Sequence, residues 1–267
     1  MVTDDVGREV VLARPAEKII ALSPHIVENL FSAGAGKKII AAVEFSDFPR
    51  EAKNIQQVGR FDTISIEKIL ALTPDLVVVW GSGGGLKLIN KLEELDLTVY
   101  VDEPSTLDSI ANSIRNLAIL AGTEKVGEVA ANDFSRELTQ LKRLGSEKQP
   151  SVFYQLWGSP IQTVNGKHVI SDAISHCGGK NIFSEVQSIA PKVNIESVLS
   201  KSPDIIIASG TDENRPLWLE DWDTWQALPA VEFSRVYHIP PDIIQRHTLR
   251  ILDGVKMMCD YIQQSLE

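Results

Sequence analysis

The stretches "SIEKILALTPDLVVVWGSG" (Ser65 to Gly83) and "NIESVLSKSPDIIIASG" (Asn194 to Gly210) repeat one arrangement of residue types. Each opens on a polar cap, continues through Ile-Glu into a short apolar helix, turns at Thr/Ser-Pro-Asp and enters an apolar strand closed by glycine. A short helix feeding a continuous apolar strand is the unit of a parallel sheet with both faces covered. One copy in each half of the chain predicts two α/β lobes built on a common plan.

The same alternation extends outward. Upstream, "VTDDVGREVVLARP" reads as a short hairpin, "KIIALSP" (Lys18 to Pro24) as a buried strand, "HIVENLFSAGAG" as a helix stopped by Gly34 and Gly36, and "KIIAAV" as the next strand. Downstream, "GGLKLINKLEEL" is a helix and "LTVYVDE" a strand. Two helical patterns then follow in succession. Leu107, Ile110, Ile114, Leu117 and Leu120 form one stripe; Val126, Val129, Phe134, Leu138 and Leu141 form another. The second predicts about 21 helical residues, roughly 30 Å, enough to join two domains. The rhythm restarts with strand "SVFYQLW", helix "HVISDAISHCGG", the second copy of the repeat, short helix "DTWQALPAV", strand "RVYHIP" and closing helix "LRILDGVKMMCDYIQQSL". The expected organisation is an N-terminal α/β lobe over 1–122, a backbone helix over 123–145 and a C-terminal α/β lobe over 146–267.

Composition narrows the function. The chain has 267 residues, 43% of them hydrophobic and 23% charged, enough for two small cores. A net charge of −10 argues against nucleic acid or an anionic membrane as the main partner, since both call for a basic face. No apolar run approaches the ~18 residues of a spanning helix. Met1 leads directly into "VTDDVGREV", without a basic n-region or an apolar h-region. That suits either a cytosolic protein or a mature form carrying an added start methionine. The two cysteines, Cys177 and Cys259, suit either a pair of buried thiols or one disulfide in an oxidising compartment. A bridge between them would be worth roughly 4 kcal/mol by loop entropy.

Catalytic patterns fail in detail. "GSGGG" (Gly81 to Gly85) lies between a strand and a helix, where phosphate could sit, but Leu86 and Leu88 occupy positions at which a dinucleotide fingerprint needs glycine. Lys87 follows leucine, so there is no Walker motif either. No zinc-protease helix and no nucleophile elbow occur, and His25, His168, His176, His238 and His247 have no ligand spacing. Ser23-Pro24-His25 closes a strand, with no triad order around it. No catalytic residue and no metal centre are expected.

Recognition residues stand out instead. Ligands of such sheets bind beyond the carboxyl ends of the strands. Trp80 and Trp157 fall at corresponding strand ends, either as core packing or as aromatic walls of an interlobe cleft for a large flat or greasy ligand. Trp218, Trp222 and Trp225 read as local packing. Glu67 and Glu196 fall in the first turn of the repeated helix, where the helix dipole alone favours a carboxylate by roughly 0.3–1 kcal/mol. Their matched positions in matched lobes also suit a partner with two matched basic sites.

Four stretches, "DDVGREVVLARPAEKIIALSPHIVENLFSAGAG", "VEFSDFPREAKNIQQVGRFDTISIEKILALTPDLVVVW", "VFYQLWGSPIQTVNGKHVISDAISHCGGKNIF" and "RILDGVKMMCDYI", resemble the periplasmic cobalamin-binding proteins of ABC importers, in order and across essentially the whole chain. Those proteins are class III periplasmic binding proteins, the helical-backbone class that also serves siderophores and haem. The resemblance implies two Rossmann-like lobes joined by one long helix, with cobalamin (vitamin B12) or a related corrinoid in the cleft as transported ligand and no cofactor. It implies a periplasmic, monomeric protein whose signal peptide has been removed. Glu67 and Glu196 match the family's docking acids for the permease dimer, and Cys177 and Cys259 match its disulfide. Phe45, Phe61, Trp80, Trp157 and the segment Asp242, Ile243, Ile244, Gln245 and Arg246 match ligand-contacting positions. Some residues depart from the pattern. Ile243, Ile244 and Gln245 replace Trp, Phe and Glu, Ala190 replaces a Trp, and Phe45 lacks a Tyr hydroxyl. The alternatives are a haem or siderophore receptor, with Tyr154 and His25 as iron ligands; a chelatase or oxidoreductase on the same plan; or a signalling receptor.

Overall fold

The structure, a computed structural model, describes every residue except 61–62, 142–148, 212 and 267. Phe61 therefore lies outside the described residues. The chain forms two compact units, Met1–Pro104 with Asp108–Ser135 and Ser105–Leu107 with Arg136–Glu267.

The first unit opens on an antiparallel ribbon of β1 (Val2–Thr3) and β2 (Glu9–Val10). Asp4 closes its turn, accepting the backbone N–H of Val6 and Arg8 and pairing with the Arg8 guanidinium at 2.7 Å. There follow β3 (Ile19–Ala21), α1 (Pro24–Ser32), β4 (Ile39–Ala42), β5 (Gln56–Gln57), a second ribbon of β6 (Gly59–Arg60) and β7 (Thr63–Ile64), α2 (Ile66–Leu72), β8 (Leu76–Trp80), α3 (Gly81–Glu93), β9 (Val99–Asp102), α4 (Leu107–Ala121) and α5 (Glu124–Leu141), whose last residues, from Arg136, belong to the second unit. The main sheet runs β5-β4-β3-β8-β9 with every pair parallel. β3, β4 and β8 are apolar on both faces, as strands covered on both sides are, while the edge strand β5 is Gln-Gln and exposed. Ile20, Val77, Val79, Val99 and Val101 pack with Ile69 of α2 and Leu92 of α3 in one core.

The second unit comprises β10 (Ser151–Gln155), α6 (Val169–His176), β11 (Lys180–Asn181), α7 (Ile195–Lys201), β12 (Ile205–Ala208), α8 (Pro229–Glu232), β13 (Val236–His238) and α9 (Ile251–Gln264). Its sheet, β11-β10-β12-β13, is also parallel throughout. The two cysteines form a disulfide, Cys177–Cys259, which ties the end of α6 to α9. The class III α/β architecture expected from the sequence is the one observed.

The repeated phrase does the same mechanical work in both units. Ser65 Oγ accepts the Lys68 N–H at 3.3 Å and caps α2; Asn194 Oδ1 accepts the Ser197 N–H at 2.9 Å and caps α7. Each helix ends on a left-handed residue, Thr73 (φ 47°) and Ser202 (φ 45°), and the following proline keeps the helix from resuming. Asp75 then accepts the N–H groups of Glu17 and Lys18, both at 2.9 Å, and Asp204 accepts the Ser151 N–H at 2.9 Å and hydroxyl at 2.8 Å. Residues 17–18 precede β3 and Ser151 opens β10, so each aspartate moors a returning strand beside the first strand of its sheet.

Three local expectations change. α5 is observed over Glu124–Leu141; Thr123 precedes it, and 142–145 of the predicted 123–145 helix lie outside the described residues. Its buried face is Gly127, Ala131, Phe134 and Leu138; Val126 and Val129 are exposed. The small residues let the helix approach Ala118 of α4 closely, so the contact is made by the positions with least side chain. The expected short helix over 223–231 is instead a 3-10 helix, Leu217–Thr224, followed by α8, because Pro229 suits a first helical turn and not an interior. Gly81 and Ser82 are helical, with a kink at Gly85, and are not a loop.

Candidate functional site

In each sheet the chain leaves the first strand to one side and later returns on the other, so strand order reverses between β3 and β8 and between β10 and β12. Loops on either side of such a switch point diverge and leave a crevice at the carboxyl ends of the strands. Trp80 ends β8, and Trp157 follows β10 by two residues. Both tryptophans selected from the sequence are therefore placed at the switch point of their own sheet.

In the first unit, Trp80 is half-buried and pairs in register with Asp102, the last residue of β9. Its indole lies on Gly83, where a Cβ would come within 2.0 Å of the ring. The His25 ring meets it edge to face, with centroids 5.5 Å apart and planes at 87°. His25 Nδ1 is 2.7 Å from Ser23 Oγ, and Nε2 is 3.3 Å from Asp102 Oδ2. Sequence reasoning noted Ser23 and His25 but missed Asp102; only the position of β9 brings it there. The N-terminal turn adds acids. The Glu103 N–H donates to Asp5 at 2.6 Å, and the Ser82 hydroxyl donates to Glu103 at 3.1 Å. Burial pushes the Asp5 carboxyl up to about 6, with the charges of Asp102, Asp4 and Glu103 adding to the rise and the Glu103 N–H opposing it. Phe45 stands 65% exposed in a turn after β4, at a φ of 64° that costs a non-glycine residue roughly 1 kcal/mol or more.

In the second unit, Trp157 is 44% exposed and its indole N–H donates to the Ser159 carbonyl at 3.1 Å. Asp242 and Arg246, one helical turn apart, pair at 3.0 Å and are only partly exposed. Beneath them runs a buried relay, with the Tyr154 hydroxyl donating to Ser209 Oγ at 2.8 Å and the Gln245 amide donating to that same oxygen and to the Gly210 carbonyl. Ile243 is half-buried, its carbonyl pressed on Gly254 of α9, and Ile244 is fully buried. Trp222 is a core residue, its indole N–H bonded to Gln155 at 2.8 Å, and Trp218 packs on Gly158.

The two side chains considered as iron ligands are both engaged in the interior. Tyr154 is fully buried, and burial drives its phenol well above the ordinary range. His25 is 6% exposed, its ring nitrogens facing Ser23 and Asp102. Among the described residues no His, Cys, Asp and Glu cluster could hold a metal. Glu67 and Glu196 are exposed in the first turns of α2 and α7.

Two α/β units with parallel sheets, each with a tryptophan at its switch point and the second with an Asp-Arg pair after β13, define a ligand-binding protein of the class III kind. Over residues 19–243 the chain matches the periplasmic binding protein family model, and it belongs to that family. The Vitamin B12-binding protein of Vibrio cholerae is 39% identical over 251 residues, which cover 93% of this chain and 90% of that protein. The protein of the same name from Vibrio campbellii is 37% identical over 252 residues, 93% of this chain and 90% of its own. The crystal structure of periplasmic vitamin B12 binding protein BtuF of Vibrio cholerae superposes with a TM-score of 0.86 at 38% identity, covering 95% of this chain and 99% of that one. The periplasmic heme-binding protein RhuT from Roseiflexus sp. RS-1 shares the fold, with a TM-score of 0.79 at 20% identity and coverage of 94% and 100%. Membership of that family makes this chain a periplasmic binding protein and not an enzyme.

Proposed function

We propose that the protein captures cobalamin in the periplasm, as a monomer, and delivers it to an ABC importer. The observation that carries this reading is identity near 40% with vitamin B12-binding relatives over nine-tenths of the chain, far above the 20% shared with the heme-binding neighbour. Phe45, Phe61, Trp80 and Trp157 supply apolar area against the corrin, and Asp242 and Arg246 address its amide side chains. Ile243 and Gln245 line the same segment, and Ile244 packs beneath it. The functional organisation follows the division 1–122, 123–145 and 146–267. Glu67 and Glu196 each meet a basic site on one subunit of the permease pair; such ion pairs set orientation and on-rate more than affinity.

Calorimetric titration with cyanocobalamin, with haemin and a ferric siderophore in parallel, tests the ligand. Saturable one-to-one cobalamin binding is expected; binding of haemin or siderophore instead overturns the ligand and leaves the fold untouched. The double variant Glu67→Ala with Glu196→Ala is expected to bind cobalamin normally and to fail in stimulating transport by the reconstituted importer. Loss of cobalamin affinity in that variant contradicts the division of labour.

A further inference from the structure

We propose that His25, held between Ser23 and Asp102, is a positioning residue that sets the angle of the Trp80 indole, and that this angle tunes cobalamin affinity; the second half of the proposal rests on the ligand reading above. Trp80 is the last residue of its strand, so backbone pairing with Asp102 fixes its Cα but not its side-chain torsions. Gly83 supplies a floor under the ring, which limits approach from one side only. The perpendicular contact with His25 at 5.5 Å adds a directional constraint on the ring. An edge-to-face pair is directional, because the positive ring edge seeks the negative face of its neighbour. It orients Trp80 only if the imidazole is itself immobile.

The structure restrains the ring by a hydrogen bond at Nδ1 and by a facing carboxylate at Nε2. Ser23 Oγ lies 2.7 Å from Nδ1, and Asp102 Oδ2 lies 3.3 Å from Nε2. Ser23 occupies the N-cap of α1, yet its side chain makes no cap bond, so the hydroxyl serves the imidazole instead of the helix. Asp102 is fully buried, and its carboxylate faces His25 Nε2 as a close polar approach at 3.3 Å, not as a hydrogen bond. A buried carboxylate needs a partner, and the His25 ring is the one facing it. Ser23 and the facing aspartate thus restrain the ring, the ring bears edge-on against the tryptophan, and all four residues lie beside the β3/β8 switch point.

The test uses the full chain carrying 5-fluorotryptophan, with the Trp80 fluorine resonance identified as the line lost in Trp80→Phe. The other four tryptophans all belong to the second unit and serve as internal controls. His25→Ala is expected to shift and broaden the Trp80 line in ligand-free protein, to leave the other lines in place and to weaken cyanocobalamin binding about tenfold. His25→Gln keeps an N–H toward Asp102 and is expected to restore both readouts part of the way, which a purely structural role would not require. If His25→Ala does not fold, Ser23→Ala releases one side of the ring and is expected to give a smaller shift in the same line. An unmoved Trp80 line, or a moved line with unchanged affinity, overturns the proposal. If the wild type binds no cyanocobalamin, the ligand reading falls, and an unmoved line still overturns the positioning.

Discussion

Gly83 and His168 show how single positions carry the two units. At Gly83 a methyl group would have to occupy the space of the Trp80 ring. Gly83→Ala is expected to fold, to displace Trp80 and to cost about 2 kcal/mol of ligand affinity, roughly thirtyfold, as for a lost aromatic anchor; calorimetry with cyanocobalamin reads this directly, and unchanged affinity removes Trp80 from the contact surface. His168 caps α6, with Nδ1 accepting the Ile170 N–H at 3.1 Å, and its ring packs on His247 at 5.7 Å. Burial lowers its pKa to about 4, against about 6.5 for an unfolded histidine. The unfolded chain therefore takes up this proton first. The contribution of the neutral ring is complete above pH 6.5 and is lost as pH falls from 6.5 toward 4, in total about 3 kcal/mol. Urea midpoints measured between pH 7.5 and 4.5 should fall along this course in the wild type and more gently in His168→Asn, whose side chain retains a cap acceptor without titrating there.

At the scale of elements, the repeated helix-turn-strand is stabilised at its ends more than along its length. α2 and α7 are seven residues each, too short to persist alone, and depend on caps and packing. The Asn194 cap bond is shorter than that of Ser65, so Asn194→Ala is expected to cost about 1 kcal/mol and Ser65→Ala less. Asp204→Ala, which leaves the Ser151 N–H and hydroxyl without their acceptor, should cost about 2 kcal/mol; thermal unfolding of the three variants ranks them. The lesson of α5 lies at this scale too. Its buried face runs through Gly127 and Ala131 because close helix approach rewards small residues, and a search for large apolar side chains picks Val126 and Val129 instead.

For the whole molecule, the disulfide bears on one unit and acidification on both. Cys177–Cys259 lies entirely in the second. Reduction, or Cys177→Ser with Cys259→Ser, is expected to remove about 3–4 kcal/mol there, and amide exchange should then rise in residues 151–264 well before it rises in 19–102. Acidification acts oppositely on the two. His168 makes the second unit lose stability below pH 6.5. Asp5 retains its proton up to about 6 in the folded state, well above an unfolded aspartate, so the first unit gains as pH falls through 6. Peptide-resolved exchange at pH 7 and pH 5 should show the protection of the two units diverging, and Asp5→Asn should abolish the gain in the first.

The order of residue types alone determined the parallel α/β character, the two matched units, the caps of α2 and α7 and the positions of Trp80 and Trp157 at strand ends, because these follow from local periodicity, cap chemistry and proline. Tertiary structure decided the rest. Asp102 comes to His25 only because β9 lies beside β8; Tyr154 is removed as a metal ligand only because β10 is an interior strand; Ile244 turns inward because α9 packs beneath its segment. Each of those outcomes depends on which strands and helices become neighbours, and neighbours distant along the chain leave no periodic trace in it.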